Sequence, residues 1–238
     1  MTPEATTPVV QICRTCGGGA PVDVHFCPQC TKILTLGRQG DYFSFLGLPR
    51  KLRVDGPVLE QNFRTLSRQF HPDYFYNAST AERRASLERT SYLNDAYRTL
   101  KQPISRIAYL LELEGMGTVS AEREAAARGS APQVPPDLLE EVFALNEELD
   151  EIRSLRASGS PEEEWKARLE RARKPIDAKR EEHERQLEQL SERWDAAMEQ
   201  QHAGVQDRKS ILESLRERML ERNYINNLLA GIERELSL

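Results

Sequence analysis

Apolar residues recur in alternating four- and three-residue steps through the C-terminal part of this chain. Leu138, Val142, Leu145, Leu149 and Ile152 form one stripe. Trp165, Leu169, Ala172, Ile176, His183, Leu187, Leu190, Trp194 and Ala197 form a second. Leu212, Leu215, Met219, Ile225, Leu229, Ile232 and Leu236 form a third. Such steps hold side chains on one face of an α-helix and exclude the two-residue period of a half-buried strand. They predict helices over about 138–157, 162–201 and 207–236. Asp137 is a candidate N-cap, Ser158-Gly159-Ser160-Pro161 ends the first helix, and Pro175 should bend the second. Short turns make the three antiparallel neighbours, hence a bundle. His183 lies on an apolar stripe with no second ligand nearby and reads as a packed core histidine.

Composition agrees with a helical protein: aromatics are 7% of the 238 residues and charged residues 30%. No run approaches the ~18 apolar residues that a membrane span needs, so no membrane partner is expected. Residues 1–12 hold Glu4 and no basic side chain, which shows neither a signal peptide nor a transit peptide. The reading is a bacterial cytoplasmic protein in preference to one of the mitochondrial matrix. The net charge of −5 is unevenly spread, at +1 over residues 1–40, +2 over 41–117 and −8 over 118–238. An acidic half repels phosphate backbones, so no nucleic acid partner is expected. Positions 50–70 run the other way. Arg50, Lys51, Arg53, Arg64 and Arg68 face only Asp55 and Glu60 there, a patch that suits an acidic protein surface.

All four cysteines fall in the first 30 residues, as Cys13-x2-Cys16 and Cys27-x2-Cys30. Two such pairs can supply four thiolates to one Zn²⁺, with Gly17, Gly18, Gly19 and Pro28 shaping the turns and the ten intervening residues folding back as a hairpin. Disulfides and a redox pair are the competing readings. Neither has its usual companion, a secretion signal or a βαβ pattern. His25 reads as a bystander beside four thiolates. A closed four-sulfur site offers no open position for chemistry, so the segment serves docking or stability.

The middle of the chain predicts short helices at Asp41–Leu48 and Ile104–Leu113, with longer ones at Gly56–Phe70 and Glu82–Lys101 between them. Asp55 is the N-cap of the second, Pro57 sits in its first turn, and Leu59, Phe63, Leu66 and Phe70 form its buried face. Pro72 stops it. The third turns Leu93, Ala96, Tyr97 and Leu100 inward. Asp41-Tyr42-Phe43, Leu46-Gly47-Leu48, Phe70-His71-Pro72-Asp73 and Leu93-Asn94-Asp95-Ala96-Tyr97-Arg98-Thr99-Leu100 together resemble a J domain. The resemblance implies that His71, Pro72 and Asp73 contact a DnaK-class ATPase, with Asp73 pairing to an arginine and Arg64 and Arg68 steering the approach. Tyr74 stands where the family usually has Lys. No nucleophile or phosphate-binding glycine loop accompanies His71, so no enzyme is expected.

Residues 115–136, rich in Gly and Pro, read as a linker with a helical turn around 122–127. The boundaries are then a metal module at 1–40, a J domain at 41–114, the linker at 115–136 and the bundle at 137–238. The fold class is all-α, a helical hairpin plus a three-helix bundle, with a small N-terminal zinc-binding module. Leu139 and Phe143 lie about 100° round from their stripe, and Tyr224 and Leu228 form a similar pair. Each pair reads either as partner surface or as a broadened core face. Arg106-Ile107-Ala108-Tyr109-Leu110-Leu111 and Asn146-Glu147-Glu148-Leu149-Asp150-Glu151-Ile152, behind a J domain, resemble HscB, the co-chaperone of iron–sulfur cluster assembly. The cysteine module is similar to that of mitochondrial members. The resemblance implies an IscU-type scaffold on the bundle, at Leu139, Phe143 and Tyr224 with Glu140 and Glu147, and an HscA- or DnaK-type chaperone on the J domain. Glu140 stands where the family has an apolar residue. Rival readings are a general J protein for unfolded clients, a zinc-containing helical regulator and a thiol oxidoreductase.

Overall fold

The structure is a computed structural model that describes residues 10–22, 24–36, 40–117, 136–200 and 204–237. Contacts divide it into two compact units, one ending at Tyr109 and one starting at Leu110. Seven α-helices and one small sheet are described, so the helical reading of the sequence holds. Residues 118–135 of the linker, with its helical turn around 122–127, lie outside the described residues.

The first unit opens with strands β1 (Val10–Ile12) and β2 (Gly19–Pro21), antiparallel with Gln11 opposite Ala20. A second pairing joins Phe26 to Ile33. The hairpins therefore enclose each cysteine pair, whereas the sequence suggested one hairpin in the gap between them. Each turn carries its sulfurs at the tip, braced by β1 and β2 in the first and by the single Phe26–Ile33 bridge in the second.

Helix α1 (Tyr42–Phe45) is shorter than expected, capped by Asp41, whose carboxylate accepts from the Ser44 N–H and from Arg50. Helix α2 (Gly56–Phe70) has the predicted bounds: the Asp55 carboxylate accepts from the Val58 N–H, and the helix gives way at His71 to a 3₁₀ turn over Pro72–Phe75. Helix α3 (Thr80–Lys101) begins two residues before Glu82. Ser79 caps it, and Glu82 returns a hydrogen bond to the Ser79 N–H. The Ser-x-x-Glu capping box was present in the sequence, with Glu82 as its third position and not its first. Phe63 stacks on Tyr97, and the Phe70 carbonyl meets Ser86 and Thr90, so α2 and α3 run antiparallel. Helix α4 (Pro103–Leu113) starts at its proline, where the missing N–H is harmless. Buried Arg106 donates to the carbonyls of Leu100 and Lys101, closing the end of α3.

The second unit holds α5 (Pro136–Ala157), α6 (Glu162–Glu199) and α7 (Val205–Leu236). Helix α5 begins at Pro136, so Asp137 is inside it and is not its N-cap. Helix α6 continues unbroken through Pro175. Arg156 lies over Trp165 while Arg168 bridges Glu148 and Glu151, and Arg173 faces Glu233 while His183 meets the Arg218 carbonyl, which sets both neighbouring pairs antiparallel. Leu145, Leu149, Ile152, Trp165, Leu169, Ile176, Ile225, Leu229 and Ile232 make the core, as the stripes required. Leu228 joins that core, which settles half of the Tyr224–Leu228 pair as packing. Glu235, buried against α5, accepts from Arg153 and Arg156.

Candidate functional site

The four cysteines form one cluster, with all sulfurs within 4.8 Å of one another. Cys13 and Cys30 lie 3.7 Å apart at Sγ, and so do Cys16 and Cys27. A disulfide needs ~2.05 Å, so none exists here. A tetrahedron of ~2.3 Å metal–sulfur bonds has edges of about 3.8 Å, which these separations match. The two knuckles share one backbone plan. The Cys13 N–H donates to Gly18 and its carbonyl accepts from Gly17; the Cys27 N–H donates to Lys32 and its carbonyl accepts from Thr31. Gly17 has φ +74° and Thr31 φ 57°, the left-handed corner that each turn requires. At Gly18 a Cβ would meet only the amide end of the exposed Gln29 side chain, which would have to swing aside.

The electrostatics also suit a cation. Backbone N–H groups of Cys16 and Thr15 pull the Cys13 thiol down to about 6. The Cys30 N–H, with that of Gln29, lowers Cys27. At Cys30 the Lys32 N–H favours the thiolate, but burial and the sulfurs of Cys16, Cys27 and Cys13 outweigh it and push the thiol up to about 12. A cation among the sulfurs would offset the repulsion that raises Cys30, and four soft sulfurs select a thiophilic ion. His25 lies outside the four-sulfur cluster.

His25 is nonetheless engaged. Arg89, on the buried stripe of α3, is 2% exposed. It donates to the carbonyls of Leu34 and Thr35 at 2.7 and 3.3 Å, and to His25 Nδ1 at 2.8 Å. Its guanidinium also lies over the rings of Phe45 and Phe70. Burial pushes Arg89 down to about 10. The sequence reading missed this residue. Its one signal was a cation in register with Ala85, Leu93, Ala96 and Leu100.

The His-Pro-Asp loop stands at the end of the α2–α3 hairpin. The Phe70 carbonyl accepts from Ser86 Oγ at 2.6 Å and Thr90 Oγ1 at 3.1 Å, which pins the chain just before the loop. His71 Nδ1 accepts from the Asp73 N–H at 3.3 Å, which orients the 3₁₀ turn. The Asp73 side chain is 87% exposed. Tyr74 and Tyr76 are exposed beside it. Arg64 and Arg68 are exposed on α2, and Arg64 pairs with Glu60 one turn back.

On the bundle, Phe143 is 65% exposed and Leu139 42%. Glu140 and Glu147 are exposed, while Tyr224 is half-buried. Leu149 lies against Gly231, and Arg153 and Arg156 reach Glu235, so α5 and α7 run parallel. The same register, carried seven residues back, sets Tyr224 level with Val142 and Phe143.

His183 is the packed histidine the sequence suggested. Its Nε2–H donates to the Arg218 carbonyl at 2.6 Å, and Nδ1 is buried without a partner. Burial lowers its pKa from the ordinary 6.5. The folded state then holds a neutral ring that the unfolded chain protonates more readily. This contribution to stability is complete above ~6.5 and is lost as pH falls below it, by at most about 1.4 kcal/mol per pH unit. Melting of the wild type against His183→Leu between pH 7.5 and 5 should show the extra loss only in the wild type. Equal slopes would refute it.

No family model matches the chain. Two solved structures are similar over most of its length. The crystal structure of the human co-chaperone protein HscB has a TM-score of 0.66 and 27% identity, over 96% of this chain and 100% of that one. The chaperone HscB from Vibrio cholerae has a TM-score of 0.58 and 27% identity, over 83% of this chain and 98% of that one.

Proposed function

We propose that this HscB-type protein is a non-enzymatic co-chaperone that presents an iron–sulfur cluster scaffold to a DnaK-class chaperone in the bacterial cytoplasm. The observation that carries the reading is Asp73, a carboxylate held out from a turn whose entry is pinned to α3 at the Phe70 carbonyl. A fixed, solvated carboxylate is ready to meet an arginine fork with little ordering left to do. His71 and Pro72 set its direction, and Arg64 and Arg68 supply positive charge for approach. Domain roles follow the boundaries read from the sequence. The module at 1–40 holds a structural zinc through Cys13, Cys16, Cys27 and Cys30, the J domain at 41–114 engages the chaperone, residues 115–136 connect, and the bundle at 137–238 takes an IscU-type scaffold.

The scaffold surface is Leu139 and Phe143, with Tyr224 level with them on α7 and Glu140 and Glu147 at the edge. Large apolar side chains left in water at helical spacing gain by docking. The test is chaperone ATPase activity with and without the scaffold. Wild type should stimulate alone and more strongly with the scaffold present. The triple alanine variant of Leu139, Phe143 and Tyr224 should retain the first effect and lose the second, since truncating an interface anchor commonly costs ~1–4 kcal/mol. The Leu139→Ala and Phe143→Ala changes alone should melt near wild type, because exposed substitutions stay within about 0.5 kcal/mol, whereas half-buried Tyr224→Ala adds a modest loss that its single variant measures. Unchanged scaffold affinity would leave these residues without that role. Binding of arbitrary unfolded chains in place of the scaffold would favour a general J protein.

A further inference from the structure

The second cysteine knuckle touches both ends of the His-Pro-Asp loop. On the entry side, the ring of Phe70 is fully enclosed, with His25 edge-on at 5.0 Å and Phe26 at 6.1 Å. On the exit side, Lys32 Nζ lies 3.0 Å from Glu82 Oε1, and Glu82 Oε2 accepts from the Ser79 N–H that opens α3. Arg89 fastens the same hairpin from α3, through the carbonyls of Leu34 and Thr35 and through His25. Cys27 closes that hairpin: its N–H donates to Lys32 at 2.9 Å, and its carbonyl accepts from Thr31 at 2.8 Å. Between the two clamped ends, Asp73, Tyr74 and Tyr76 are exposed and add little packing of their own. A segment with few buried contacts opens easily, so the rigidity of its ends sets its order.

We infer that the cysteine module braces the His-Pro-Asp loop, with His25, Lys32 and Arg89 as positioning residues, so that metal occupancy governs how well the loop is ordered for its chaperone. A loop fixed beforehand loses less freedom on docking, so the brace acts on affinity. The chaperone half of this inference rests on the proposed function; the structural half does not.

Amide hydrogen exchange of the full chain separates them, measured on metal-loaded wild type, metal-stripped wild type and metal-loaded Lys32→Ala. Lys32→Ala keeps all four cysteines and removes one half-exposed ion pair, so exchange around 79–83 should quicken by roughly 1.5- to 5-fold. Stripping the metal loosens both clamps, and residues 73–80 should exchange more than ~10-fold faster, while α3 around Leu93 and Ala96 stays protected. In the ATPase assay, the stripped protein should need a higher concentration for half-maximal stimulation and reach nearly the same plateau. Unaltered loop exchange in both altered forms overturns the brace. So does exchange that rises equally along α2 and α3, because the module would then support the whole unit and not the loop. Wild type that shows the exchange pattern but fails to stimulate the chaperone overturns the functional reading and leaves the brace standing.

Discussion

Asp73→Ala should abolish stimulation of the chaperone's ATP hydrolysis while leaving the protein's melting temperature unchanged. The two halves of this expectation come from different facts. The side chain is 87% exposed, and the residue's contacts within the chain are local, to His71 and the 3₁₀ turn. Replacing a solvated side chain away from caps and cores shifts stability by no more than about 0.5 kcal/mol. At an interface the same carboxylate would face a buried arginine, and removing it leaves that charge unpaired. Such truncations cost ~2–5 kcal/mol, or roughly 30- to several-thousand-fold in affinity. Stimulation should therefore vanish at concentrations that half-saturate the wild type. Arg64→Glu makes a useful contrast, because a steering charge affects association rate and its effect fades as salt rises. A stimulating Asp73→Ala variant would show that the loop is not the contact, and the proposed function would fall with it.

Purified protein should contain about one zinc per chain, and Cys27→Ser should lose it together with the fold of the N-terminal module. Structural zinc contributes on the order of 10 kcal/mol to folding. The small core behind the cysteines comprises Ala20 and Leu34 with Cys13 and Cys27 themselves, so apart from the second hairpin's contacts to Arg89, Phe70 and Glu82 the module has little packing of its own. Serine is a poor ligand for a thiophilic ion, and its hydroxyl also replaces a buried sulfur. The helical hairpin should survive, because Leu59, Leu93, Ala96 and Leu100 are buried without using the cysteines. Metal analysis, absorption edges and circular dichroism would check this together. A metal-free variant whose N-terminal resonances stay dispersed would refute the structural role.

Much of this protein is written locally. Asp55, Pro57 and Pro72 delimit α2 because capping, a first-turn proline and a missing N–H each act within one helical turn. The 4-3 stripes foretold which residues of α5, α6 and α7 form the core, since 3.6 residues per turn admits few alternatives. The cysteine spacing likewise limited the metal geometry to two knuckles. Other features depended on residues far apart in the chain. Arg89 meets His25 across 64 positions, and no local rule links a cation on α3 to a histidine beside a cysteine. Tyr224 and Leu228 share a helical spacing, yet Leu228 is core and Tyr224 half-buried, because the neighbouring helices decide which side of α7 is covered. Phe143 and Leu139 remained exposed for the same reason. Periodicity gives the direction of a side chain from its own helix axis; what lies in that direction is fixed only when the helices pack.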